Sequence, residues 1–178
     1  MTAKALLRLE ALQVLTHIEE MRRKEAAVAA FSFLTEELSK MSGPVVSFAS
    51  TPLEINLWPV NKWLIKQRRL FLPKVEEGSL TIYEVQSTEE LEKSSFGLRE
   101  PSPSLCRRVY AEEIKLVLVP ALFFDSRLHR LGYGKGYFDR FLSTVPESRK
   151  WGVGFKEQKI EKIPVDSFDI KVDKLLLF

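Results

Sequence analysis

Leu116-Val117-Leu118-Val119-Pro120 is apolar at every position, so as a strand it has no face that tolerates water and must be covered on both sides. It is the clearest buried strand in the chain, and the segments around it read as helices and further strands. Ala3 to Ile18 carries Leu6, Leu7, Leu9, Leu12, Val14, Leu15 and Ile18 at helical spacing, with Lys4, Arg8 and Glu10 on the wet side. The charged stretch Glu19 to Glu25 breaks this stripe, and Ala26 to Leu38 reads as a second helix stopped by Ser42-Gly43-Pro44. Val45 to Ala49 reads as a buried strand and Thr51-Pro52-Leu53-Glu54 as the start of a helix, which Pro59 kinks or divides. Further strands are expected at Arg69–Leu72, ending at Pro73, and at Leu80–Val85, Trp151–Phe155 and Val172–Phe178. A helical turn is expected at Glu89–Lys93, a loop at Ser94–Arg107 and a short helix at Tyr137–Leu142. Strands alternating with helices predict one mixed α/β domain over residues 1–178.

Composition narrows the function. A chain of 178 residues, 45% hydrophobic and 29% charged, buries enough surface to fold as one domain without a staple. Its single cysteine, Cys106, excludes an internal disulfide and a cysteine-based metal cluster. Two histidines, His17 and His129, exclude a histidine-rich centre, and His129 reads as an exposed loop residue. Twenty-seven Lys and Arg against 24 Asp and Glu leave a formal charge of +3, which suits small anionic ligands better than a polynucleotide. Arg68-Arg69 and Arg107-Arg108 lack the interleaved aromatics of an RNA-binding module, so no nucleic-acid partner is expected. No apolar run approaches a membrane span and the first residues do not read as a signal peptide. The expectation is a cytoplasmic monomer without a membrane partner.

Chemistry concentrates after the apolar strand. Three of the eight glycines fall within Arg130-Leu131-Gly132-Tyr133-Gly134-Lys135-Gly136-Tyr137-Phe138-Asp139-Arg140. Glycines leave backbone N–H groups uncovered, and a following helix N-terminus adds more, so such a loop can wrap an anion. The spacing matches neither the dinucleotide fingerprint nor the Walker A loop, and a plain tight turn is the competing reading. Arg130 and Lys135 supply full charges, and Asp139 could hold Mg²⁺ beside a polyphosphate. On pattern alone, Lys4 and Arg8 are equally a solvated helix face, Glu54 a first-turn residue complementing a helix dipole, and Asp139-Arg140 a surface pair.

Val119-Pro120-Ala121-Leu122-Phe123-Phe124-Asp125 followed by this glycine run resembles the signature of the 5-formyltetrahydrofolate cyclo-ligase family. Ordered landmarks agree along essentially the whole chain: Lys4-x-x-x-Arg8, Phe48-Ala49 with Glu54, Leu72-Pro73-Lys74-Val75, Arg99-Glu100-Pro101, Gly154-Phe155 through Gln158, Pro164 and Asp169. The chain departs from the family pattern at Leu128 and Ala121, where glycines are usual. Phe138 stands for a tyrosine, and Phe168 for the histidine before Asp169, a change that bears on metal affinity or rate.

The resemblance implies a three-layer α/β/α fold with a mixed, mostly parallel sheet. It also implies ATP- and Mg²⁺-dependent closure of 5-formyltetrahydrofolate to 5,10-methenyltetrahydrofolate, with ADP and phosphate released. Carried over by position, Lys4, Arg8 and Arg130, Leu131, Gly132, Tyr133, Gly134, Lys135, Gly136, Tyr137 and Phe138 bind ATP. Arg8 and Lys135 act on the transferred group. Ala49 and Glu54 line the folate pocket, which Arg8 and Tyr133 to Tyr137 also touch, and Asp139 and Asp169 bind Mg²⁺. A nucleotide- or folate-binding relative that does not turn over is the alternative.

Overall fold

The computed structural model describes residues 2–94 and 98–178; positions 95–97 of the expected Ser94–Arg107 loop lie outside them. In chain order the elements are α1 (Ala3–His17), α2 (Glu20–Ser39), β1 (Val45–Val46), α3 (Trp58–Lys66), β2 (Leu70–Glu76), β3 (Ser79–Glu84), β4 (Leu91–Lys93), β5 (Arg99–Pro101), β6 (Arg107–Val109), β7 (Leu116–Val119), β8 (Phe123–Asp125), β9 (Arg130–Leu131), α4 (Tyr137–Thr144), β10 (Arg149–Gly154), β11 (Lys159–Ile160) and β12 (Lys174–Leu177). A seven-stranded sheet runs β12-β10-β7-β1-β2-β3-β6. It is parallel from β12 through β2 and antiparallel at β2–β3 and β3–β6.

Side-chain alternation explains the two covering layers. Leu116 and Leu118 of β7, Val45 of β1 and Leu70 and Leu72 of β2 face one core, shared with Ala11 and Leu15 of α1, the Ala26-Ala30-Leu34-Leu38 stripe of α2, and Val60 and Leu64 of α3. Val117, Val119, Val46 and Phe71 face the other, packed against Phe141 and Leu142 of α4 and Val145 just after it. The strand that is apolar on both sides is thus covered on both sides, as an α/β/α sandwich requires.

Several local expectations are corrected. α2 begins at Glu20, six residues before the apolar stripe, because its charged first turns are held from elsewhere. Arg22 pairs with Glu157 at 2.7 Å, and Arg23 donates to Pro52 O at 3.0 Å and to Ile18 O at 3.1 Å. Thr51–Glu54 does not start a helix. It closes one turn, Glu54 N to Thr51 O at 3.1 Å, and Pro59 lies in the first turn of α3, where its missing N–H is harmless. β2 runs through Pro73, paired with Ile82. Leu70 O accepts from Val85 N and Phe71 O from Ser47 N, so the Pro73 nitrogen faces β1, not β3. It has no hydrogen to offer there, and the β1–β2 ladder stops. Glu89–Lys93 divides into a 3₁₀ turn and β4, and β5 and β6 emerge from the expected loop.

The glycine loop does not follow β7 directly; the β8–β9 hairpin intervenes and forms a small sheet with β11. Its turn is built on buried Asp125, whose Oδ1 accepts from Arg127 N and His129 N, each at 2.9 Å, and whose Oδ2 meets His129 Nδ1 at 3.1 Å. His129 is therefore half-buried and partnered, not an exposed loop residue. The turn forces Leu128 to φ +70°, the conformation glycine favours. A leucine persists there because its side chain packs against the second core.

Candidate active site

Chain order places β2 on one side of β1 and β7 on the other. The crevice beyond the carboxyl ends of β1 and β7 is then the switch point at which open α/β sheets bind ligands. A cavity of about 700 Å³ opens there, walled by Phe48 and Ala49 after β1, Pro120 after β7, and Pro73 and Val75 of β2. The break in the β1–β2 ladder at Pro73 is part of what lets the walls diverge. On one side the Thr51–Glu54 turn presents a carboxylate. Glu54 Oε2 accepts from Thr51 N at 2.8 Å, and Tyr133 OH approaches Oε1 at 3.4 Å across the cavity. Burial pushes the Glu54 carboxyl above its ordinary value, against these hydrogen bonds. Burial and the adjacent Glu54 charge likewise raise the Tyr133 phenol, so it stays a donor.

The opposite wall is the glycine loop. Gly134 at φ +99° and Gly136 at φ +66° turn the chain where an L side chain is strained. Gly136 caps α4. Among the described residues, no backbone N–H from Tyr133 to Asp139 finds an acceptor. Arg8 of α1 leans into this bend: its Nε donates to Gly132 O at 2.9 Å, and its guanidinium carbon is 3.1 Å from where a Cβ on Gly134 would stand. The loop thus wraps a cation while its free N–H groups border the cavity.

Arg130, with a side chain 3% exposed, pairs with Asp139 at 2.7 Å and lies over the Phe138 ring at 5.8 Å. Burial lowers its pKa and Asp139 and Asp169 oppose the shift, though a guanidinium remains charged. Its buried Nε lacks a partner among the described residues, the kind of group that a ligand or ordered water completes. Lys4 binds Asp166 at 2.7 Å and Asp169 at 2.5 Å. Burial pushes Asp169 up, but Lys4 and the Asp166 N–H more than offset it and leave its carboxyl below the ordinary value.

The two expected metal ligands approach one another through the backbone. Asp139 Oδ1 accepts from Ile170 N at 3.1 Å, the residue after Asp169. Asp139 Oδ2 and Asp169 Oδ1 accept no hydrogen bond from the described residues. No cluster of three or more His, Cys, Asp or Glu able to hold a metal exists among the described residues. The donor set therefore fits an ion that uses one or two carboxylates and completes its shell with phosphate and water, as Mg²⁺ does.

Every site residue expected from the sequence, from Lys4, Arg8, Ala49 and Glu54 to Arg130 through Asp139 and Asp169, borders this one cavity. Leu131 contributes main chain, its side chain being in the core. Lys135 stands exposed at the loop tip, its ammonium 6.0 Å from the Tyr137 ring, and Arg140 turns away to Gly78 O at 2.8 Å, so Asp139 pairs with Arg130 instead. Sequence reasoning missed Asp166, Thr2, Leu80 and Leu98 as lining residues; nothing in their spacing marks them. Pro73, Val75 and Glu100 were visible only as landmarks. Cys106 is buried outside the cavity, and its thiol is pushed up to about 11 chiefly by burial, which leaves it inert.

The sequence profile described as the 5-formyltetrahydrofolate cyclo-ligase family matches residues 1–177. A probable 5-formyltetrahydrofolate cyclo-ligase of Caenorhabditis elegans is 31% identical over 130 residues, 66% of this chain and 63% of that one. The alignment to a Schizosaccharomyces pombe relative of the same name spans 61% of each chain, so this chain matches about three fifths of the length of these two relatives. The 5-formyltetrahydrofolate cyclo-ligase of Mus musculus is 29% identical over 98% of this chain and 93% of its own. Among solved structures, the 5,10-methenyltetrahydrofolate synthetase of Aquifex aeolicus superposes with a TM-score of 0.86 at 34% identity, covering 98% of this chain and 89% of that one. The Mycoplasma pneumoniae synthetase shares the fold, with a TM-score of 0.78 at 19% identity and 98% coverage of both chains. A profile match over nearly every residue, on a chain that gathers its expected site residues around one void, means that the protein belongs to the 5-formyltetrahydrofolate cyclo-ligase family.

Proposed function

We propose that the protein closes 5-formyltetrahydrofolate to 5,10-methenyltetrahydrofolate at the expense of ATP. The observation that carries this reading is the run of N–H groups from Tyr133 to Asp139, unpartnered among the described residues, which shares one cavity with Lys4, Arg8, Arg130 and the Glu54 carboxylate. That is a polyphosphate cradle beside a pocket for a flat, hydrogen-bonding ring.

The chemical difficulty is that an N-formyl group is amide-like, a weak electrophile with a poor leaving oxygen. Transfer of the terminal phosphoryl group from ATP to the formyl oxygen releases ADP and makes that oxygen a leaving group. The nitrogen at position 10 then attacks the formyl carbon, loses its proton, and phosphate departs. Such a transfer depends mainly on positioning and charge stabilisation. Arg8, held over the loop by Gly132 O, and Lys135 at the tip neutralise charge on the transferred group. Arg130 and Lys4 hold the remaining phosphates. Glu54 accepts a hydrogen bond from the folate amine or pterin, and Phe48, Pro73 and Val75 provide apolar walls for the rings. Mg²⁺, held by Asp139 and Asp169, would neutralise phosphate charge.

The test is growth of the long-wavelength absorbance of methenyltetrahydrofolate on mixing protein, Mg²⁺, ATP and 5-formyltetrahydrofolate. Binding of both ligands without product would overturn catalysis in favour of the second reading, a non-turning-over relative. That alternative is motivated by Phe168, which stands 69% exposed at the cavity rim beside Asp169.

A further inference from the structure

Ring closure strips a proton from the nitrogen at position 10, and the side chains placed so far give that proton no acceptor. Five carboxylates border the cavity, and four of them are engaged. Glu54 accepts from Thr51 N and is approached by Tyr133 OH, Asp139 accepts from Arg130 and Ile170 N, and Asp166 and Asp169 share Lys4. Glu100 is the fifth. It sits at the centre of β5, where alternation sends Arg99 over the Trp58 ring at 6.0 Å and turns Glu100 to the cavity. Among the described residues its carboxylate accepts no hydrogen bond and forms no ion pair. Lys74, the cation whose charge reaches it, holds Glu92 Oε1 at 2.5 Å and Pro101 O at 3.2 Å instead. Glu92 stands directly opposite Glu100 on β4. Burial raises the Glu100 carboxyl above its ordinary value; Lys74 opposes the rise and the like charge of Glu92 adds to it. The neighbouring wall is apolar, formed by Pro73 and Val75 of β2 and Leu80 of β3. An unneutralised carboxylate beside such a wall costs stability, and in a cleft it is suited to take a proton.

We propose that Glu100 accepts the proton that the nitrogen at position 10 loses as the ring closes. The assignment rests on the folate reading given above. The nitrogen's lone pair bonds to the formyl carbon, and that carbon's double-bond pair withdraws onto the nitrogen at position 5. The N–H bond then breaks, its electron pair staying on nitrogen and the proton going to a Glu100 oxygen. The bond from carbon to the phosphorylated oxygen breaks last, and phosphate takes that pair. Glu100 is only half-buried, so it returns the proton to water once product leaves. The rival acceptor is the departing phosphate itself.

The test separates phosphoryl transfer from closure in single turnovers, with protein in excess over 5-formyltetrahydrofolate in the presence of ATP and Mg²⁺. Quenched samples report ADP, and the long-wavelength absorbance reports methenyltetrahydrofolate. In the wild type the two should rise together. Glu100→Gln keeps the size of the side chain and loses its basicity. It should form ADP at the wild-type rate while closure slows about a hundredfold or more. Glu100→Ala opens a space beside the nitrogen, and added acetate should restore its closure rate where the same concentration of chloride does not. A merely structural role for Glu100 would move neither the lag of product behind ADP nor the response to acetate. Closure that keeps pace with ADP in Glu100→Gln would give the proton to the leaving phosphate and overturn the assignment. Equal slowing of ADP and closure would make Glu100 a binding residue and overturn it too, as would acetate without effect on the alanine variant. Wild-type protein that binds both ligands and forms neither ADP nor methenyltetrahydrofolate would overturn the turnover reading itself and the role of Glu100 with it, an outcome distinct from all of these.

Discussion

Glu54 shows how one side chain can be tuned by where it is buried. Its carboxyl titrates above its ordinary value because burial disfavours the charge, even though Thr51 and Tyr133 hydrogen-bond to it. If the ionised form accepts from the folate amine, kcat/KM should fall on the acid side at a pH above 4.5, the ordinary value for a glutamate. Glu54→Gln, which can still accept from Thr51 N, should abolish that acid limb. The same shift has a stability consequence of the opposite sense. The folded state holds this proton to higher pH than the unfolded chain, so stability from this group is lost as pH rises from the unfolded value through the folded one. Glu54→Gln should therefore melt higher than the wild type at pH 8 and no higher at pH 4; a pair of thermal scans decides it. Lys135 makes the complementary case, since it stands exposed with only a ring beside it. If it meets a phosphate, Lys135→Ala loses about 1.5–3 kcal/mol of a charge-assisted contact. That is roughly a 10- to 150-fold fall in kcat/KM for ATP, and an unchanged ATP dependence would remove Lys135 from the site.

At the scale of the element, the glycine loop separates residues needed for backbone shape from those that are not. Gly134 combines φ +99° with the Arg8 guanidinium 3.1 Å from a would-be Cβ, whereas a Cβ on Gly132 meets Arg130 Nη1 at an ordinary 3.5 Å and no positive φ. Gly134→Ala should store on the order of 1–3 kcal/mol of strain and displace Arg8. Gly132→Ala should leave the ligand-free protein at its wild-type melting temperature. At about 2–4 °C per kcal/mol for a chain this size, differential scanning calorimetry resolves the contrast, and equal melting of the two variants would contradict it. The loop and the stripe of α2 could be read in the sequence because each is a local pattern: clustered glycines, and Ala26-Ala30-Leu34-Leu38 on one helical face. What could not be read depends on partners far along the chain. The charged start of α2 needs Glu157, and the Asp125 turn needs Ile163 N, 38 residues away, to satisfy a buried carboxylate. Pro73 looked like a strand end because nothing local tells on which side its missing donor falls.

Across the whole molecule, the cavity is also where the two ends of the chain are fastened. Lys4, near the start of α1, binds Asp166 and Asp169, which are 162 and 165 residues away. A ligand that bridges Lys4, the glycine loop and Asp169 would therefore add to the ion pairs and to the Arg8–Gly132 and Ile170–Asp139 hydrogen bonds that already join these three segments. Partly exposed pairs contribute little by themselves, so most of the added stability should come from occupancy. A ligand at one hundred times its dissociation constant stabilises the folded state by about 2.7 kcal/mol, which corresponds to a rise of about 5–10 °C in melting temperature here. The wild type should show that rise with ATP and Mg²⁺ together, and a smaller one with ATP alone, because the Asp139 and Asp169 carboxylates repel bare phosphates unless a cation lies between them. Asp169→Asn removes one of those charges and leaves Lys4 with Asp166 as its carboxylate partner. Its response to ATP alone should match or exceed that of the wild type, while the increment added by Mg²⁺ shrinks. If Mg²⁺ adds the same increment in both proteins, the ion is held elsewhere, and the pairing of Lys4 with Asp169 is a fastening of the fold rather than a place kept for the nucleotide's metal.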